Sequence, residues 1–164
     1  MEAWTQANQA GRHQDALPLI AGLVAAYPQE PALHFRHAQT LRELGHYEEA
    51  LQALDRLLGL RPQTVPALLQ CAELQSLLGQ PMAAEDALRR AVTVDPRHAE
   101  ARIRLVRFLT EQGDFRQASY ELDQVVALDP ASPAAAELRQ RLLLARELAT
   151  TPVAVSGPAM ATPT

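Results

Sequence analysis

The sequence predicts an all-α protein, and three observations carry that expectation. Of the 164 residues 48% are hydrophobic but only 4% aromatic, and the apolar share is Ala and Leu, which favour helices over strands. Four of the seven glycines, Gly11, Gly45, Gly79 and Gly113, follow one another at a single constant step. Pro28, Pro62, Pro96 and Pro130 keep the same step, as do Ala16, Ala50, Ala84 and Ala118. A unit of about 34 residues therefore recurs four times, which marks an array of stacked repeats.

The elements follow in chain order. A first, short A helix is expected over Glu2 to Ala10. The first B helix spans His13 to Ala26, although Pro18 inside it should cost about 3 kcal/mol unless the helix starts late or kinks. Further A helices are expected at Ala32 to Leu44, Val65 to Leu78 and Ala99 to Gln112. The matching B helices are Tyr47 to Leu60, Pro81 to Val94 and Phe115 to Leu128. Apolar residues recur in them at three-and-four spacing, as in Tyr47, Ala50, Leu51, Leu54, Leu57 and Leu58, which gives each helix one face to bury.

Each glycine supplies the left-handed residue that ends an A helix, and each proline stops a B helix. The turns are then short and the helices antiparallel. The recurring alanine of each B helix faces the small residues Ala38 and Ala72 of the A helices and lets the axes approach closely. After Pro130, Ser132 and Pro133 form an N-cap and first-turn pair that opens a capping helix over 133–149. The uncharged Ala/Pro/Thr-rich segment 150–164 is expected to be disordered.

Turns and termini such as Leu44-Gly45-His46-Tyr47-Glu48-Glu49-Ala50-Leu51, Gln112-Gly113-Asp114-Phe115 and Val94-Asp95-Pro96 resemble those of the tetratricopeptide repeat family over about residues 2 to 149. The pentatricopeptide class of RNA readers steps by one residue more and fits less well. The resemblance implies a right-handed α-solenoid, with repeats at about 1–30, 31–64, 65–98 and 99–132 followed by the capping helix. The first repeat departs from the pattern: Trp4 takes the position of Ala38, Ala72 and Val106, and is read as a lid on a truncated end.

Net charge is −4, so no general attraction to nucleic acid or anionic membrane is expected. No apolar run reaches the length of a membrane span, and the N-terminus lacks a signal-peptide pattern. The expected compartment is the cytoplasm. All 15 basic residues are Arg, with no Lys, a usage that points towards a GC-rich bacterial genome. Cys71 is the single cysteine, which excludes an internal disulfide.

Enzyme readings find little support, and no cofactor or metal is expected. His34 and His37 lie three apart without a third ligand. Cys71 sits among leucines as a small core residue. The acid pairs Glu48-Glu49 and Glu85-Asp86 occupy first turns of B helices, where they complement the helix dipole.

In the resembling family the A helices line a concave groove that takes a ligand. Carried onto this chain, the groove columns place Phe35, Leu69 and Ile103 in one apolar register. Arg36, Arg42, Arg104 and Arg107 flank it, with Gln39, Gln70 and Glu73 nearby. If exposed, the three apolar residues form a strip that takes anchors from an extended or helical partner segment, with the arginines pairing to acidic groups. The competing reading packs them between neighbouring A helices and pairs the arginines with Glu43, Glu73, Glu100 and Glu111. The absence of Lys, and an asparagine column holding only Asn8, disfavour a receptor for chaperone tails. The expected function is a non-catalytic scaffold for a protein or peptide partner. The alternatives are a secretion-type chaperone for an unstructured client and the repeat portion of a larger transferase-type enzyme. Stacking of an exposed Trp4 end would give a homodimer.

Overall fold

The computed structural model describes residues 1–150. Apart from Thr150, the segment expected to be disordered lies outside the described residues. These residues form helices and no strands: α1 (Glu2–Gln9), α2 (His13–Ala26), α3 (Pro31–Glu43), α4 (Tyr47–Leu60), α5 (Val65–Leu77), α6 (Pro81–Val94), α7 (Ala99–Glu111), α8 (Phe115–Leu128) and α9 (Pro133–Thr150). The all-α repeat fold is the one the sequence predicts.

The local rules that end the helices are visible in the backbone. Gly11, Gly45, Gly79 and Gly113 have φ of 70, 79, 69 and 79°, the left-handed region that costs other residues about 1–2 kcal/mol. After α3, His46 N donates to Leu41 O and Gly45 N to Arg42 O, both at 2.9 Å. After α5, Gln80 N donates to Gln75 O at 2.8 Å and Gly79 N to Ser76 O at 3.1 Å. This paired closure satisfies carbonyls the helix end would otherwise orphan. Each A helix therefore stops two residues before its glycine. The B helices end two residues before their prolines, as expected. Ser132 caps α9, its Oγ accepting from Ala135 N at 3.4 Å.

The chain divides into two compact units, Met1–Leu105 and Val106–Thr164. In the first, each helix from α1 to α5 packs on the next in sequence. The seams between them are lined with small residues: Ala16, Ala50 and Ala84 are fully buried, and so nearly are Ala38 and Ala72. Larger side chains fill the layers around these alanines, among them Ile20, Leu41, Leu54, Leu57, Leu68 and Leu74. In the second unit α8 packs on α9, and Leu122, Val125, Leu138 and Leu142 are buried.

Trp4 closes the N-terminal end. Its ring is buried with Ala7, Ala16, Ile20, Val24 and Leu33, and its Nε1 donates to Thr40 Oγ1 at 3.2 Å. The Arg36 guanidinium covers the ring at 5.2 Å from its centroid, a favourable cation–π arrangement. The lid reading therefore describes this residue. With only 7% of Trp4 exposed, the ring offers no apolar face for a second copy to stack on.

Helix α2 runs unbroken through Pro18, so the Gln14 carbonyl loses its helical donor; Pro18 and Gln14 both lie on the exposed side. Pro18→Ala restores that bond and is expected to raise stability by up to about 3 kcal/mol in urea unfolding. An unchanged midpoint would contradict a continuous helix across this position.

Candidate functional site

The A-helix face of the first unit is built by α3, α5 and the start of α7. Here the structure corrects one expectation. Leu69 and Ile103 are only 6% and 8% exposed, so no continuous apolar strip faces solvent. The cause is the spacing of the A helices: they lie close enough for side chains to pair from one to the next, and aliphatic groups between them are covered. Phe35 alone of the three remains half-buried.

What crosses this face is a chain of ion pairs. Arg42 binds Glu43 at 2.5 Å and Glu73 at 3.4 Å. Glu73 also meets Arg104 at 3.7 Å, and Arg104 Nε donates to Glu100 at 2.6 Å. Three consecutive A helices are thus joined through Glu73. The hydrogen bond from Arg42 is the main cause that holds the Glu43 carboxyl below its usual range, and the same bond raises Arg42. These side chains are partly exposed, from 29% to 50%, so each pair contributes about 0–1 kcal/mol and yields readily to another anion.

The remaining expected site residues separate. Arg36 turns towards the N-terminal end, donating to Met1 Sδ at 3.3 Å besides covering Trp4, and does not flank the groove as expected. Gln39 and Gln70 are partly exposed on the face. Arg107 is exposed but belongs to the second unit.

The sequence reading missed a hollow of about 260 Å³ beside Phe35, walled by Pro31, Ala32, Leu57 and Pro66, with Arg61 and Glu30 at its edge. Its sequence signals are Phe35 of the predicted apolar register and the pair Ala32 and Pro66, one repeat apart. The rest of the wall comes from a turn and a B helix, which periodicity does not connect. Pro31 is the first residue of α3 and Pro66 the second of α5, first-turn positions where a fixed φ and a missing N–H cost little.

Cys71 is buried. Burial, followed by the negative charge of Asp55, pushes its thiol up to about 12, so it is not a thiolate at neutral pH. Among the described residues no cluster of three metal-ligating side chains occurs. No described helix is long and apolar enough to cross a membrane.

A family model described as "Tetratricopeptide repeat" matches residues 7–78 and 75–142. Among curated proteins no sequence matches. Of the solved structures that resemble the chain, a tetratricopeptide repeat protein from Parabacteroides merdae has a TM-score of 0.83 at 19% identity, covering 90% of this chain and 59% of that one. The MamA protein gives 0.73 at 17% identity, covering 90% of both chains. The first such repeat domain of Spaghetti (RPAP3), solved bound to the HSP90 peptide SRMEEVD, gives 0.63 at 20% identity, covering 74% and 95%. At these identities the likeness shows the fold alone.

His34 is a buried histidine and His37 is half-buried beside it. His34 is 3% exposed and its Nε2 lies 2.7 Å from Pro28 O, while Nδ1 of both rings is buried without a partner. Burial above all, then the neighbouring His34 and Arg56, pulls His37 below its ordinary 6.5, opposed by Glu49. The unfolded chain takes this proton at higher pH than the folded one, so stability falls as pH drops through about 6.5. His37→Leu installs the residue found at Leu105, two repeats on. Its melting temperature is expected to fall less than that of the wild type between about pH 7.5 and 5.5. Equal falls would contradict the assignment.

Proposed function

Because the chain belongs to the tetratricopeptide repeat family, a fold of protein-interaction scaffolds, we propose that it is a non-catalytic scaffold that binds a peptide or helical segment of a partner protein on the A-helix face of its first unit. The observation that carries this reading is the hollow at Phe35, an apolar recess on the face that the ion-pair chain crosses. A side chain of leucine or phenylalanine size fits a volume of this order and buries apolar surface worth about 1.5–3 kcal/mol.

Beyond the hollow, Gln39 and Gln70 offer amides to an incoming backbone. The ion-pair chain then supplies exchange. A carboxylate on the partner replaces Glu73 between Arg42 and Arg104, at little cost because the pairs it displaces are weakly held. The proposed ligand is thus a segment with one apolar anchor followed by an acidic residue. That the Spaghetti domain was solved with a peptide bound supports a segment-binding use of this fold. Leu69 and Ile103 act from beneath, setting the spacing of the helices that carry the polar groups.

The test is affinity capture from source lysate with the wild type and with Phe35→Glu, both checked by circular dichroism, quantified by mass spectrometry. The expected result is a loss of specific partners by about tenfold or more with Phe35→Glu. Equal recovery of the same partners by both proteins would reject this face.

A further inference from the structure

Away from the A-helix face, the first unit holds a second recess, a cavity of about 620 Å³ between the C-terminal halves of α2 and α4, with α3 as its floor. Its volume is of the order that small-molecule sites occupy. The walls are apolar or small, Ala21, Val24, Ala25, Gly59 and Leu60, and the polar side chains reaching it are those of Gln29, His34, His37 and Arg56. No acid lines it.

The repeat provides an internal comparison. Counting one repeat on, His37 becomes Cys71, Arg56 becomes Arg90, Ala21 becomes Asp55 and Gln52 becomes Asp86. In that later copy the arginine has an anion: Arg90 pairs with Asp86 at 3.6 Å, and the charges of Asp55 and Arg90 both act on Cys71. In the earlier copy the arginine is kept while both acids are gone. Among the described residues Arg56 makes no ion pair.

His37 adds a second donor. Its Nδ1 is sealed from solvent and has no hydrogen-bond partner. A proton there would be a buried donor without an acceptor, so the neutral ring carries it on Nε2. His34 has the same tautomer, its Nε2–H donating to the Pro28 carbonyl at 2.7 Å. The acid that acts on His37, Glu49, is 63% exposed and already bonded to His46 at 3.2 Å. The charged and titratable groups facing His37 are then His34 on its own helix and Arg56 and Glu49 on α4, with none from the α2 wall.

We propose that this cavity binds a small organic carboxylate, its anionic end held by Arg56 and the His37 Nε2–H and its apolar body lying against Val24, Ala25 and Leu60. The ligand supplies the negative charge that Asp55 and Asp86 supply one repeat later. A guanidinium and a ring N–H suit a carboxylate's two oxygens, and the apolar walls disfavour an anion that is hydrated all round. This site is independent of the A-helix face and stands whether or not a protein partner binds there.

The test uses the full chain and isothermal titration calorimetry with phenylacetate and octanoate as carboxylates with apolar bodies. Phenylacetamide serves as the neutral counterpart, and inorganic phosphate as charge without a body. Saturable binding is expected for at least one carboxylate, about tenfold or more tighter than for phenylacetamide or phosphate. Ala21→Asp, which installs the acid of the next repeat, and Arg56→Gln are each expected to weaken it by about tenfold or more. In nuclear magnetic resonance spectra the carboxylate should move the His37 ring and Arg56 Nε signals. No saturable binding by either carboxylate, equal binding of phenylacetamide, affinity unchanged in Arg56→Gln, or shifts confined to other residues would each overturn the proposal.

Discussion

The close approach of consecutive helices across alanine seams is the constraint on which the first unit depends. Ala16, Ala50 and Ala84 on the B helices and Ala38 and Ala72 on the A helices are buried almost completely, although an alanine buries little apolar surface itself. Their contribution is what they leave out. With no side chain beyond Cβ, the helix axes come near enough for Leu41, Leu54, Leu57, Leu68 and Leu74 to fill the layers above and below. The low aromatic content follows from this, since ring-sized side chains would hold the helices apart.

The same spacing decides which surface is left for a partner. A helices packed this closely cover Leu69 and Ile103 and bring Arg42, Glu73 and Arg104 into one ion-pair chain. The face therefore carries a linked ion-pair chain, with Arg42 and Arg104 against Glu43, Glu73 and Glu100. An apolar hollow opens beside Phe35, with Pro31 and Pro66 in its wall. On the proposed reading, recognition on such a face works by exchange of weak internal pairs around one anchor. It favours reversible binding over a large buried interface.

Much of the fold was legible because its punctuation is local. A glycine with positive φ and a proline two residues past a helix end act within a few residues of themselves, so all four B helices have the bounds read from the sequence. The A helices run short at their C-terminal ends because the closing hydrogen bonds use the residues just before each glycine. Ser132 and Pro133 announced α9 for the same local reason. Burial along the A-helix face was not legible, since it depends on the distance between helices a full repeat apart in the chain. Periodicity places Phe35, Leu69 and Ile103 in one column without saying how much of each is covered. The turn of Arg36 onto Trp4 was hidden for a related reason: the family pattern has no bulky ring at that position, and only the structure brings the two together.

The most direct measurement of the alanine seam is the stability of a graded series at Ala50, read by urea unfolding. Ala50→Ser should stay near the wild type, while Ala50→Val and Ala50→Leu should lose progressively more, about 1–3 kcal/mol or beyond as volume grows. Gln52→Leu, exposed on the same helix, should change stability by less than about 0.5 kcal/mol. If Ala50→Leu were as stable as the wild type, the seam would have room to spare, and close approach would not be what holds the repeats.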